Sequence, residues 1–238
     1  TLSSSSAASD VYKRQQGRRW QGVKVFREGS IMRWIVRTLC FALLLPAAQL
    51  WAADPQPAVQ AAAQDKAQAL EQKAADKESP KAEPQAAPIT KTEVQAVDPA
   101  GQAPVDDAIT CLSRTIYWEA KGGESADMEA VANVVLNRLG HEGFPGTVCE
   151  VVKQGSEKSP CQFSWWCDGR PDQVEEEGRY TIAKEIARKA LNQQLKDRTG
   201  GALFFHDRSV SPDWSRAYIK TTEIGSFSFY KPKDVAAR

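Results

Sequence analysis

The chain has 238 residues, with 31 basic and 30 acidic side chains and a formal net charge of +1. A charge balance this close to zero lacks the strongly basic face that nucleic-acid binding usually needs, so we expect no nucleic-acid partner. The length allows one or two domains.

Residues 32–53 have the order of a secretory signal peptide. Arg33 and Arg37 come first, an apolar run follows over residues 39–45, and small residues close the segment. The apolar run is too short for a comfortable membrane span. We therefore predict export to the periplasm or cell wall with cleavage near Ala52. Membrane contact would occur only through this segment, if it stays uncleaved.

Three further segments are predicted to lie outside the folded domain. Residues 1–31 precede the first methionine, and we interpret them as non-native or translated upstream sequence without a function. Residues 54–106 are rich in Ala, Gln, Pro, Lys and Glu and contain no aromatic residue. Such a segment buries too little apolar area to offset the entropy of ordering it, which predicts a disordered linker. Residues 233–238 form a short tail.

The domain itself is expected to span residues 107–232. Apolar side chains recur with helical spacing over about 107–121, 125–139 and 174–195, which predicts three helices. Aromatic runs at 202–206 and 227–230 predict short strands. The sequence therefore predicts a compact α+β domain that is mainly helical.

Glu119 is the candidate catalytic residue that the helical spacing singles out. It lies three residues after Ile116 and seven after Leu112, on the apolar stripe and in the last turn of the first helix. Burial and the negative end of the helix both disfavour a carboxylate and should raise its pKa. A carboxylic acid that stays protonated can donate a proton to a departing sugar oxygen. The alternative is a helix-end glutamate turned out to water.

The same stretch carries a resemblance to a known family. Tyr117-Trp118-Glu119-Ala120-Lys121-Gly122-Gly123-Glu124 resembles the Tyr-x-Glu-Ala-Arg-Gly-Glu signature of the SleB/CwlJ-type cell-wall hydrolases, a family known from spore-cortex lysis. Similar residues continue through 130–138, 144–149, 161–169 and 205–230. The resemblance covers roughly residues 108–232.

This resemblance implies a single lysozyme-like catalytic domain that acts on the glycan strand, with Glu119 as its acid. The sequence departs from the pattern at three positions. Lys121 stands for the usual Arg, Gly123 is one extra residue before Glu124, and Phe227 stands where many members have His.

Five further residues are candidate substrate contacts. They are Glu124, Gln162, Phe163, Ser164 and Trp214. For Glu124 the alternative is helix capping or a salt bridge, and for a single tryptophan it is a place in the core.

Four of the five cysteines fall within the domain and allow three disulfide connectivities in an oxidising compartment. We favour Cys111–Cys149, which would tie the first helix to the loop after the second, and Cys161–Cys167, which would close a short loop over the cleft.

The function predicted from these observations is cleavage of peptidoglycan glycan strands by a monomer without a cofactor. A lytic transglycosylase is favoured over a muramidase, because it needs a single acid/base whereas a muramidase normally uses a second carboxylate. One alternative is a zinc-dependent N-acetylmuramoyl-L-alanine amidase, but the domain offers only His141 and His206 as histidine ligands, and we expect no metal. A non-catalytic peptidoglycan-binding module is the other alternative.

Overall fold

The computed structural model describes residues 56–76, 87–156 and 161–233. The predictions for residues 1–31, for the signal peptide at 32–53 and for nearly all of the tail lie outside these residues. In chain order the elements are α1 (Gln56–Ala75), α2 (Lys91–Ala96), α3 (Ala108–Ala120), α4 (Ser125–Arg138), α5 (Val148–Lys153), α6 (Glu177–Leu191), β1 (Phe204–Asp207), β2 (Ile219–Ile224) and β3 (Phe227–Lys231). No helix among the described residues is long and apolar enough to cross a membrane.

Helix α3 is the centre of the domain. Every residue from Ala108 to Tyr117 is buried, and α1, α4, α5 and α6 all pack against it. The helix begins where the Asp107 carboxylate accepts hydrogen bonds from the backbone N–H groups of Ile109 and Thr110. The sequence predicted a helix with one apolar stripe, whereas in the structure neighbouring helices cover α3 on every side.

The buried Arg114 of α3 finds its ion-pair partner in a segment that precedes the helix. Arg114 pairs with the Asp98 carboxylate, its Nη2 lying 2.7 Å from Oδ2. Tyr180 from α6 donates to the same oxygen over 2.7 Å. Burial acts to raise the pKa of Asp98, but the hydrogen bonds from Tyr180, from the Ala103 N–H and from Arg114 outweigh it and hold the pKa below its ordinary value.

The described strands form one antiparallel sheet in the order β1-β3-β2. Phe205 pairs with Phe229, and Ile224 pairs with Phe227 next to the hairpin turn. The mainly helical α+β architecture is confirmed. The sequence missed the six-residue helix α5 and the polar strand β2, and it extended the third helix beyond both ends of α6.

The segment that the sequence predicts as a disordered linker is folded onto the domain where the structure describes it. Helix α1 buries Ala63, Ala67 and Leu70, which repeat at helical spacing on one face. The two alanines have small side chains that let the helix approach its neighbours closely, so little apolar bulk is required. The prediction of disorder is therefore wrong for residues 56–76 and 87–106.

Polar contacts hold this N-terminal segment in place. Glu71 of α1 accepts a hydrogen bond from the Val148 N–H over 2.9 Å at the start of α5. The Asn192 side chain accepts from the Ile89 N–H and donates to the Ile89 carbonyl, each over 2.9 Å. The segment is thus part of the domain.

The predicted disulfide between Cys111 and Cys149 is present, with the two Cα atoms 5.3 Å apart. It joins α3 to α5 across a loop of 38 residues, and a cross-link of this length restricts the unfolded chain strongly.

We predict that Ala67→Asp lowers the free energy of unfolding by at least about 2 kcal/mol, because it places an unpaired carboxylate in the contact between α1 and the domain. Ala69→Asp is the matched control, since Ala69 lies on the exposed face of the same helix. Thermal denaturation of both variants measures the difference. Equal stabilities would contradict the docking of α1.

Candidate functional site

One cleft of about 860 Å³ gathers the end of α3, the end of α4, the Cys161–Cys167 loop, β1 and the hairpin between β2 and β3. Its polar lining includes Glu119, Arg138, Gln162, Ser164, His206 and Asp207.

Glu119 lies in the last turn of α3, where the helix leaves the core and meets the cleft. Its side chain is half-buried, and no described residue donates a hydrogen bond to its carboxyl group. Burial raises the pKa of Glu119 to about 7, and the positive charge of Arg138 partly opposes this rise. The site therefore contains a carboxyl group that is half protonated near neutral pH.

Arg138 ends α4 and forms part of the cleft wall. Its side chain is only 2% exposed, and its Nε donates to the Leu203 carbonyl over 2.7 Å. The guanidinium lies 5.0–5.6 Å from the ring centroids of Phe144, Phe163 and Phe204. Burial lowers its pKa to about 10, against the opposing effect of Glu119, so it remains a cation at neutral pH.

Asp127 holds two walls of the cleft together. One of its carboxylate oxygens accepts from the Glu124 N–H over 2.9 Å, and the other accepts from the Ser226 N–H over 3.0 Å. Gly225 adopts a positive φ of 52° in the hairpin turn, and a Cβ there would lie 1.9 Å from Asp127 Oδ1. Only glycine fits this approach, so the turn and the loop after Glu119 share one anchor.

The second predicted disulfide, Cys161–Cys167, is also present, with a Cα separation of 6.3 Å. It closes the loop that carries Gln162 and Ser164 on the cleft wall. Phe163 points the other way and is fully buried beneath the Arg138 guanidinium. Phe163 thus supports the wall and does not line it.

Aromatic side chains form the opposite wall. Trp214 lies 5.9 Å from Phe204, 5.5 Å from Tyr218 and 5.4 Å from Tyr230 between ring centroids. Trp214 and Tyr218 are partly exposed and line the cleft. His206 stacks on Tyr230, and its Nε2 lies 3.0 Å from the Tyr230 hydroxyl oxygen.

The structure thus brings Glu119, Gln162, Ser164 and Trp214 together at the cleft. Glu124 does not line it and is the exposed residue at the N-terminal cap of α4.

Sequence reasoning missed Arg138 and Asp127. A signal for Arg138 was available, because it follows Val131, Val134 and Val135 at helical spacing and so falls on the buried face of α4.

Comparison with known proteins identifies the domain. Residues 122–230 match the family model described as Cell Wall Hydrolase. The chain is 32% identical to the spore cortex-lytic enzyme of Halalkalibacterium halodurans over 136 residues, which is 55% of this chain and 36% of that protein. It is 30% identical to the spore cortex-lytic enzyme of Bacillus cereus over 128 residues, which is 52% of this chain and 44% of that protein. The chain thus spans less than half the length of either relative.

Two solved structures are also similar. The catalytic domain of the Bacillus cereus SleB protein is 28% identical, with a TM-score of 0.43 over 52% of this chain and 89% of that chain. The catalytic domain of a germination-specific lytic transglycosylase, SleB from Bacillus anthracis, is 28% identical, with a TM-score of 0.42 over 52% of this chain and 93% of that chain.

The chain therefore contains a cell wall hydrolase domain. Within that class it is similar to the SleB/CwlJ-type family that its motifs resemble. The family match begins at residue 122, just beyond Glu119, so the role of this glutamate rests on the geometry described above.

We predict that Asp127→Ala lowers the free energy of unfolding by about 1–3 kcal/mol, because the Glu124 and Ser226 N–H groups both lose their carboxylate acceptor. Denaturant unfolding measures this change. Glu129→Gln on the same helix is the control, since its contact with Arg198 is a 3.9 Å surface pair that should change stability by less than about 1 kcal/mol. Equal effects of the two variants would show that Asp127 does not anchor the hairpin.

Proposed function

We propose that this domain cleaves the glycan strands of peptidoglycan, with Glu119 as the general acid. The observation that carries the proposal is a half-buried carboxyl group on a cleft wall with its pKa raised to about 7. Membership of the cell wall hydrolase family supports peptidoglycan as the substrate. The exported location predicted from residues 32–53 and the two disulfides agree with a substrate outside the cytoplasm.

The proton of Glu119 is what the bond-breaking step requires. The protonated carboxyl group donates to the glycosidic oxygen, which leaves as a neutral hydroxyl while the bond to the anomeric carbon breaks. The carboxylate that remains is then the base for the second half of the reaction. Its pKa near neutrality suits both roles, because neither protonation state is rare.

We favour a lytic transglycosylase for that second half. The 6-hydroxyl of the muramic acid residue attacks its own anomeric carbon, and its proton passes to the Glu119 carboxylate, which regenerates the acid. A muramidase would instead activate water with a second carboxylate. In the cleft that carboxylate would be Asp207, which is exposed and whose pKa is held below its ordinary value by hydrogen bonds from Ser209.

The cleft also offers surfaces that suit a sugar chain. The exposed faces of Trp214 and Tyr218 can stack on the apolar face of a sugar ring. Gln162 and Ser164, on the facing loop, provide amide and hydroxyl groups for sugar hydroxyls. These residues would orient the strand across Glu119.

No observation favours the zinc amidase. Among residues 56–76, 87–156 and 161–233, no group of three or more His, Cys, Asp or Glu side chains is arranged to hold a metal ion. The amidase and the non-catalytic binding module are therefore kept as outcomes of the following test.

We predict that Glu119→Gln abolishes the release of fragments from purified sacculi, because the amide cannot donate the required proton. Mass spectrometry of the released fragments identifies the reaction. Anhydro-muropeptides indicate the lytic transglycosylase, and reducing muramic ends indicate the muramidase. Glu124→Gln is the matched control and should keep activity.

Wild-type activity should also fall as pH rises through about 7, since the protonated form of Glu119 is lost there. Free stem peptides, or full activity of Glu119→Gln, would reject the proposed role of Glu119.

We predict that Trp214→Ala weakens binding of a peptidoglycan glycan fragment roughly tenfold, through loss of about 1.4 kcal/mol of stacking. Trp214→Phe should retain most of the affinity. Trp166→Ala is the control, because Trp166 packs on Lys153 outside the cleft lining. Titration monitored by calorimetry measures all three. If Trp214→Ala bound the fragment with unchanged affinity, the aromatic wall would not be part of the binding site.

A further inference from the structure

The Arg138 guanidinium is a buried cation with a donor to spare. Its Nε is occupied by the Leu203 carbonyl, but its Nη1 is buried without a hydrogen-bond partner among the described residues. A buried charged donor without an acceptor is rare, because its desolvation is uncompensated.

The other deeply buried arginine in the described part of the chain has a carboxylate partner. Arg114 is 1% exposed and has the Asp98 carboxylate 2.7 Å away. Arg138 is 2% exposed, yet no described carboxylate lies within 4 Å of its guanidinium. The three aromatic rings around Arg138 favour a cation electrostatically, but they do not supply the missing acceptor.

Among the neighbouring charged groups, Glu119 is the one that affects the pKa of Arg138. The titratable and charged groups that line the cleft or flank the end of α3 are Glu119, Arg138 from α4, His206 and Asp207 from β1, Tyr218 ahead of β2, Lys121 directly after α3, and Arg179 from α6. Lys121 is engaged with Glu175, and Arg179 donates to backbone carbonyls. Of the whole set, Arg138 is the one whose charge acts on the pKa of Glu119.

We propose that Arg138 is a positioning residue for Glu119. The unpaired Nη1–H group of Arg138 donates a hydrogen bond to the Glu119 carboxylate once the acid has given up its proton. This inference rests on the proposed role of Glu119 as the acid. The Leu203 bond and the three rings hold the planar guanidinium in place. The Glu119 side chain, which accepts no hydrogen bond from a described residue, is therefore the group that turns toward the open donor. Before proton transfer the protonated carboxyl group makes no ion pair. After transfer it does, so the contact is strongest when the negative charge is present.

Arg138 acts through Glu119, which distinguishes it from a substrate contact. Its loss should leave Glu119 protonated to higher pH but make it a poorer proton donor. We therefore expect Arg138→Met to lower kcat at least tenfold with little change in KM, and to move the alkaline limb of the pH profile upward. A purely structural role would lower stability and leave the pH profile in place.

The direct test is a titration of the Glu119 carboxyl group by 13C NMR in the free protein, with the resonance assigned through Glu119→Gln. Arg138→Met should raise the midpoint by about one to three pH units, the usual effect of removing a nearby opposite charge. Arg138→Lys, which keeps the charge, should restore most of the shift. Arg170→Met is the control for net charge, because Arg170 is 83% exposed and should leave the midpoint unchanged.

A second measurement needs no variant of Arg138. In the wild-type protein, the guanidinium 15N resonances of Arg138 should move with the Glu119 midpoint, and this movement should vanish in Glu119→Gln. Absence of both effects would overturn the pairing. Because neither measurement uses substrate, their failure alone would leave the proposed function standing, whereas full activity of Glu119→Gln on sacculi would reject the proposed function and the role of Arg138 with it.

Discussion

Burial of helix α3 on all sides is the constraint on which the domain depends. A helix without a solvent face needs cover from every direction, and α1, α4, α5 and α6 provide it. Polar groups caught inside need their own partners, which is why Asp98 is brought to Arg114. The cover ends at the last turn of α3, so Glu119 is the acidic group left between core and cleft. Its raised pKa is thus a product of the same burial that stabilises the fold.

Elements with strong local signals could be predicted from the sequence. Helices α3 and α4 were predicted within one or two residues, because their apolar spacing and end signals agree. Strand β2 was missed because Lys220, Thr222 and Glu223 give it a polar surface. Its strand conformation depends on antiparallel pairing with β3. Docking of α1 was missed for a different reason, since two alanines, one leucine and one glutamate on its buried face give no apolar run.

The site divides in the same way. Glu119 could be found because its position on the stripe of α3 is a local property. Asp127 could not, because its function is to bind a hairpin turn 99 residues further along the chain. Phe163 was placed on the wrong side of its loop, since alternation along three residues inside a disulfide does not say which side chains face the cleft. Contacts between distant parts of the chain decide which of these side chains reach the cleft, and a single sequence does not reveal those contacts.

The two disulfides differ in how far a thiol reagent can reach them. Cys111 is fully buried in α3 and Cys149 is half-buried, whereas Cys167 is exposed and its partner Cys161 lines the cleft. Exchange requires a thiolate to approach a sulfur atom directly. A mild reductant would therefore open the Cys161–Cys167 loop while the core cross-link stayed intact. The wall that carries Gln162 and Ser164 would loosen in a protein that is otherwise folded, which makes the shape of the cleft sensitive to the redox state of its surroundings.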